Sequence, residues 1–253
     1  REVEVEQIPY WTKRTRSGRA FECIAHEAKI SHKPDISLNV AKTIEFKEAM
    51  CSSERNGWIE KIQEEIGSLV KNQVHVSIDV NDTPHDAQII PSRMLLVLKD
   101  LINKKARLIV QGCFQPVPED SFFAPVLAFD SFRILVAIAA SKGWQVMTID
   151  VNTAFLQAPL DEKEPPIVIV PPRQLIELGI VTKNERWLLR KALYGLRSSP
   201  KAWNEAIGVA LCEFGLEETL YDSCVFIHPQ GTLIVAVYVD DLLVTGTPEA
   251  REK

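Results

Sequence analysis

The run TLIVAVYVDDLLVTG, Thr232 to Gly246, has the composition of a buried strand, yet Asp240 and Asp241 stand side by side inside it. Neighbouring carboxylates repel one another and lose hydration when covered. A folded chain keeps such a pair only where water, a turn or a cation relieves it. A hairpin reconciles the two features: Leu233 to Val239 forms one strand, Leu242 to Thr245 the next, and Asp240 with Asp241 the two-residue turn. Both acids then sit at one end of a sheet. On these residues alone an ordinary acidic turn stays open as the plain alternative.

A third acid is placed similarly. Asp150 ends the apolar stretch QVMTI and lies beside the turn if these strands neighbour each other in one sheet. Three carboxylates would then converge, and their repulsion is relieved by hard divalent cations. Oxygen-rich sites of this kind suit Mg²⁺, which keeps several waters and shares a substrate's phosphates. Two such ions about 3.5–4 Å apart activate an attacking oxygen and stabilise a leaving one in an in-line phosphoryl displacement. That is nucleotidyl-transfer chemistry. A two-metal phosphohydrolase on another fold is disfavoured: such sites recruit imidazoles, and His26, His32, His75, His85 and His228 show no metal spacing.

The rest of the sequence bounds this reading. A chain of 253 residues, 46% hydrophobic and 25% charged, holds one large domain or two small ones. Its longest apolar runs, ILVAIAA and LIVAVYV, fall far short of the roughly 20 residues that span a bilayer, so no membrane partner is expected. The amino terminus lacks a signal core and an initiating Met, as expected of a fragment of something longer. Five cysteines form no CxxC pair and read as reduced, intracellular thiols. The net charge of −5 argues against a general nucleic-acid coat. Locally the balance reverses: Arg186, Arg190, Lys191, Arg197 and Lys201 are uninterrupted by an acid, and Lys99, Lys104, Lys105 and Arg107 form a second group. Taken alone, such runs read as solvated faces.

Periodicity predicts a helix within Ile44 to Val70, burying Trp58, Ile62, Ile66, Leu69 and Val70 and ending at Lys71–Asn72. Strands follow at VHVSIDV, RMLLVLKD and KKARLIVQG. Asp130 is expected to cap a helix that Gly143 terminates. The five prolines around IVIV predict an edge strand, and Ser199–Pro200 opens a helix carrying Trp203, Ile207, Leu211 and Phe214.

Five motifs stand in order: KARLIVQG, FAPV (Phe123 to Val126), DVNTAFL (Asp150 to Leu156), ALYGLRSSPKAW (Ala192 to Trp203) and YVDDLLVTG. In this they resemble the reverse transcriptase of copia-type long-terminal-repeat retrotransposon Pol polyproteins. The resemblance implies an α+β right-hand polymerase whose antiparallel palm sheet is backed by helices. Its parts would be a flexible arm over 1–43 that includes KRTRSGR, fingers with the start of the palm over 44–149, and the palm over 150–253. The chain would end before the thumb.

By the same resemblance Asp150, Asp240 and the Val151 carbonyl hold two Mg²⁺ ions, with Mn²⁺ a substitute, and Asp241 completes the catalytic acids. Phe155 excludes a ribose 2′-hydroxyl. Lys105 and Arg107 lie over the incoming deoxynucleoside triphosphate, with Lys99 a weaker candidate. Tyr194 and Gly195 pass under the nascent pair, and Arg190, Lys191, Arg197 and Lys201 meet the RNA or DNA template-primer. Ribonuclease H and integrase segments would be partners in the intact polyprotein, and a cytoplasmic particle or nucleus the location. The pattern departs at Met94 and His75, where aromatics are usual, in the short proline-rich QGCFQPVPEDSFFAPV, and at Ser198, where the family has Gln. Two functions remain open: RNA-directed DNA polymerase, or a non-catalytic relic that binds nucleic acid or protein.

Overall fold

In the computed structural model the described residues, 11–14, 20–26, 41–99, 102–116 and 122–251, form an α+β fold. In chain order they begin with β1 (Trp11–Arg14), β2 (Ala20–His26), β3 (Lys42–Ile44), α1 (Phe46–Cys51), α2 (Arg55–Lys71), β4 (His75–Asp79), β5 (Gln88–Lys99) and β6 (Asn103–Val110). Next come α3 (Phe129–Lys142), β7 (Val146–Val151), α4 (Ala154–Gln157), β8 (Ile167–Val170), α5 (Arg173–Glu177) and β9 (Glu185–Leu189). The remainder is α6 (Ser199–Glu213), β10 (Glu217–Glu218), β11 (Val225–Ile227), β12 (Leu233–Tyr238), β13 (Asp241–Gly246) and α7 (Pro248–Arg251). Among the described residues no helix is long and apolar enough to cross a membrane.

Contacts divide the chain into two units. The first draws on Arg1–His32, Phe123–Ala154 and Trp203–Lys253, the second on Lys33–Phe122 and Phe155–Ala202. The units interleave segments of the chain.

The first unit is built on an antiparallel sheet in the order β1-β2-β7-β13-β12-β11-β10. Its β12 residues are buried from Leu233 to Val237, which explains why LIVAVY is continuously apolar rather than alternating. Helix α3 covers part of the sheet, with Leu135 packed among Val225, Ile234 and Ala236. Gly143, at φ 64°, ends α3 as expected. Asp130 does not cap it. The cap position is Ala128, whose N–H donates to Asp222 Oδ2 at 3.0 Å, so the acid comes from 94 residues away. Within the stretch expected as a flexible arm, 1–43, strands β1 and β2 belong to this sheet. Of KRTRSGR, residues 15–19 lie outside the described residues.

The second unit holds a sheet in the order β3-β5-β8-β9-β4, with β6 paired to β5. The 12-residue β5 makes this possible: Gln88–Pro91 pair in parallel with β8, and Ser92–Lys99 pair antiparallel with β6. Helix α2 buries Trp58, Ile62 and Leu69 against this sheet's core, each contributing about 1.5–3 kcal/mol of burial. The expected single helix is in fact two. Ser52 ends α1, its hydroxyl donating to the Ala49 carbonyl and accepting the Glu54 N–H, the local bonding by which Ser competes with helix. Val70 points outward, 62% exposed, since the buried stripe runs Trp58–Ile62–Leu69. The IVIV segment is not an edge. β8 lies between β5 and β9, because its prolines flank the strand and leave every ladder N–H within it intact.

Candidate active site

The β12–β13 ladder pairs Tyr238 with Asp241, so the turn residues are Val239 and Asp240 rather than the two aspartates. Asp241 is the first residue of β13. Val239 is one of three non-glycine described residues with positive φ, at 57°, and Asp240 is not among them. Positive followed by negative φ is the sign pattern of a type II′ hairpin turn, usually led by Gly. A β-branched residue there is strained by about 1–3 kcal/mol, which the surroundings must offset.

Two bonds from outside the turn hold it. The Trp203 indole N–H of α6 donates to the Val239 carbonyl at 2.5 Å, and the Val151 N–H of β7 donates to the Asp240 carbonyl at 2.9 Å. On the adjoining ladder Asp241 is the direct partner of Asp150. Directly opposed residues of antiparallel strands present side chains to the same face. Asp150 is half-buried, while Asp240 and Asp241 are exposed. The Asp241 carboxyl lies above its ordinary value, first because burial disfavours its charge, then because Asp240 and Asp150 repel it.

The donor set is thus all hard oxygen, and burial followed by the neighbouring acids disfavours ionisation of one member. That chemistry fits a divalent cation. Among the described residues, however, no three His, Cys, Asp or Glu groups converge into a ready-made cage. The two findings agree if an ion is held by one or two carboxylates plus waters and substrate phosphates, the usual condition of Mg²⁺.

The second unit gathers a different set. On β6, Ala106, Leu108 and Val110 face the core while Lys105 and Arg107 alternate away from it. The Arg107 guanidinium lies 4.8 Å from the Tyr194 ring centre, and Phe155 meets the same ring edge-on at 5.3 Å. The Tyr194 carbonyl accepts the Val110 N–H at 2.8 Å, laying the LYGL turn on the end of β6. Gly195, at φ 94°, is required there, because a Cβ would collide with the Val110 carbonyl oxygen. Ser199 is buried, but its hydroxyl folds back on Leu193, accepting its N–H and donating to its carbonyl.

Two residues of this unit were not singled out in the sequence. Gln115, 3% exposed, accepts the Arg197 N–H at 2.8 Å and donates to the Ser198 hydroxyl at 3.2 Å. Glu65 on α2 accepts the Leu108 N–H at 2.9 Å, and burial raises its carboxyl above the ordinary value although Leu108, Arg107 and Lys105 oppose the shift. No sequence signal pointed to either residue: Gln115 sits in a proline-rich stretch, and Glu65 reads as one of several helix-surface acids.

The basic residues divide. Arg190 and Arg197 are exposed, Lys201 is half-buried, and burial pushes Lys191 below its usual value. Lys104 is engaged, 3.2 Å from Glu54 and over the Trp58 ring.

A family profile described as reverse transcriptase (RNA-dependent DNA polymerase) matches residues 75–251. The chain belongs to this family. It is 30% identical over 230 residues to the retrovirus-related Pol polyprotein from transposon RE2 of Arabidopsis thaliana, a match covering 86% of this chain and 15% of that protein. Against the Pol polyprotein from transposon TNT 1-94 of Nicotiana tabacum the identity is 30% over 211 residues, 79% of this chain and 15% of the other. The Transposon Ty1-LR2 Gag-Pol polyprotein of Saccharomyces cerevisiae is 27% identical over 263 residues, 96% of this chain and 14% of its own length. The copia-type resemblance holds, and this reverse transcriptase segment spans about 15% of the length of the curated relatives it matches.

Proposed function

We propose that the chain is the catalytic part of an RNA-directed DNA polymerase, which adds deoxynucleotides to a primer 3′-hydroxyl on an RNA or DNA template. The observation that carries this reading is the pairing of Asp150 with Asp241 beside a turn that presents Asp240. In this reading the first unit supplies the palm and the second the fingers. Asp150, Asp240 and the Val151 carbonyl hold magnesium, and Asp241 adds negative charge beside them. The ions, when bound, supply Lewis-acid stabilisation of the transferring phosphoryl group.

The chain's own groups do the rest. Lys105 and Arg107 neutralise triphosphate charge, and Arg107 is held for this by its stack on Tyr194. Phe155 bars a 2′-hydroxyl. Gly195 lets the backbone come close to the nascent pair, and Arg190, Lys191, Arg197 and Lys201 position template-primer phosphates without reading sequence. Ribonuclease H and integrase segments of the same polyprotein, and a cytoplasmic particle or nucleus as the place of action, belong to this reading.

The test is primer extension on an RNA template with Mg²⁺, in a polypeptide extended beyond Lys253 to a complete reverse transcriptase. Asp240→Asn should abolish extension while leaving the fold intact. Extension at the wild-type rate removes the assigned role.

A further inference from the structure

We infer that Trp203 is a positioning residue that fixes the orientation of the Val239–Asp240 peptide and through it the aim of the Asp240 carboxylate. The inference rests on the polymerase reading for its consequence and on the turn's geometry for its physics. A two-residue hairpin turn has two neighbouring forms, I′ and II′, that differ by a flip of the central peptide. The flip reverses the carbonyl of the first turn residue and changes the sign of φ at the second, which changes the rotamers open to its side chain. Here the first residue is Val239 and the second Asp240.

The turn's own residues do not choose between the forms. Val239 carries positive φ in both, and Asp is among the residues that tolerate the positive φ that form I′ would ask of position 240. A choice must come from outside, and the indole N–H makes it. Trp203 is 2% exposed on α6, and its Nε1 lies 2.5 Å from the Val239 oxygen. An indole nitrogen only donates, so it rewards the orientation in which that carbonyl faces α6 and gives nothing to the flipped one. The Val151 N–H holds the next carbonyl, that of Asp240. Both peptide oxygens of the turn are therefore fixed, and Asp240 has one backbone frame from which its carboxylate projects.

The experiment separates the clamp from the chemistry. In the isotopically labelled chain, Trp203 is replaced by 3-benzothienylalanine, which keeps the fused rings and exchanges the N–H for sulfur. Trp203→Phe is made beside it. The backbone resonances of Val239 and Asp240 should move, while the unfolding temperature of the ring analogue stays near wild type. Affinity for Mn²⁺, read from broadening around Asp150 and Asp241, should fall about tenfold, the size one lost hydrogen bond supports. In the extended polypeptide kcat should fall with KM for the nucleotide unchanged, because the group lost touches no substrate. Resonances of Asp240 that stay in place in the ring analogue overturn the inference whatever the metal does. If wild-type protein shows no Mn²⁺ broadening at Asp150, the polymerase reading falls instead, and the same resonances still decide the clamp.

Discussion

Asp150 stands directly across the β7–β13 ladder from Asp241, with the next backbone N–H, that of Val151, bonded to the Asp240 carbonyl. The three acids thus share one end of one sheet, and their charges act on one another. Asp241 shows the effect: its carboxyl lies above the ordinary value through burial and then through Asp240 and Asp150. A raised folded-state value means that the stabilising contribution is present below the unfolded pKa and lost as pH rises through the folded one. At neutral pH the pair is therefore a cost to the fold. Asp241→Asn should raise the unfolding temperature in chelator by about 1–2 °C at pH 7, and the gain should shrink toward pH 4. Mg²⁺ should raise the wild-type midpoint more than that of the variant. Calorimetry with and without the ion checks both; a midpoint lowered at pH 7 would contradict the first.

Glu65 gives a second pH dependence of the same sign, from a different cause. Its carboxyl is raised by burial, opposed by the Leu108 N–H it accepts and by Arg107 and Lys105. Glu65→Gln keeps an acceptor for Leu108 and removes the charge. Relative to it, wild type should lose stability as pH rises from about 4 through the folded carboxyl value, a difference that urea midpoints between pH 4 and 8 detect. Glu65→Leu should cost about 1–3 kcal/mol at every pH, because a buried strand N–H is left unpaired.

What the sequence disclosed and what it hid have separate physical reasons. Strand alternation in RMLLVLK and RLIV, the end of α2 at Asn72 and the left-handed Gly143 are local, so residues a few positions apart specify them. The pairing of Asp150 with Asp241 joins residues 91 positions apart in sequence; the end of the QVMTI strand offered it only on condition that the strands are neighbours, and the motif resemblance supplied that condition. Prolines misled at IVIV because they mark where pairing stops and say nothing of which strands lie beside the pairing segment. The turn was misplaced by one residue because Val at positive φ is a poor choice on intrinsic grounds. Its support comes from Trp203, 36 positions earlier, which the sequence showed as an apolar helix position and the last residue of the ALYGLRSSPKAW motif, with nothing to link it to the turn. Gln115 escaped for the same reason: its partners are 82 and 83 residues away.

Gly195 tests whether the LYGL turn must lie against β6. At φ 94° and with the Val110 carbonyl in the path of any Cβ, Gly195→Ala combines backbone strain with a clash against a strand. A loss of about 2–4 kcal/mol in urea unfolding is expected, larger than most surface substitutions give. Hydrogen exchange at the Val110 amide, which donates to the Tyr194 carbonyl, should quicken in parallel. Ala tolerated at wild-type stability would mean that the turn can lift from the strand.

Phe155 joins packing to nucleotide choice. Its ring is held edge-on to Tyr194 at 5.3 Å, and Tyr194 is itself covered by the Arg107 guanidinium at 4.8 Å. A ring braced in this way is stiffer than a lone side chain, and a steric barrier to a 2′-hydroxyl needs that stiffness. In the polymerase reading, Phe155→Val should raise ribonucleotide incorporation relative to deoxynucleotide by about 10–200-fold, the range a few buried carbons support. Phe155→Tyr, which keeps the ring, should not. Loss of the aromatic contact costs only about 0.5–1.5 kcal/mol beyond the lost burial, so urea midpoints should report a folded variant in which selectivity can be read. Single-nucleotide extension with paired ribo- and deoxy-substrates measures the ratio. A ratio unmoved in a folded Phe155→Val protein assigns the ring to packing alone, because the smaller side chain leaves the path to a 2′-hydroxyl open and discrimination would then have to reside elsewhere.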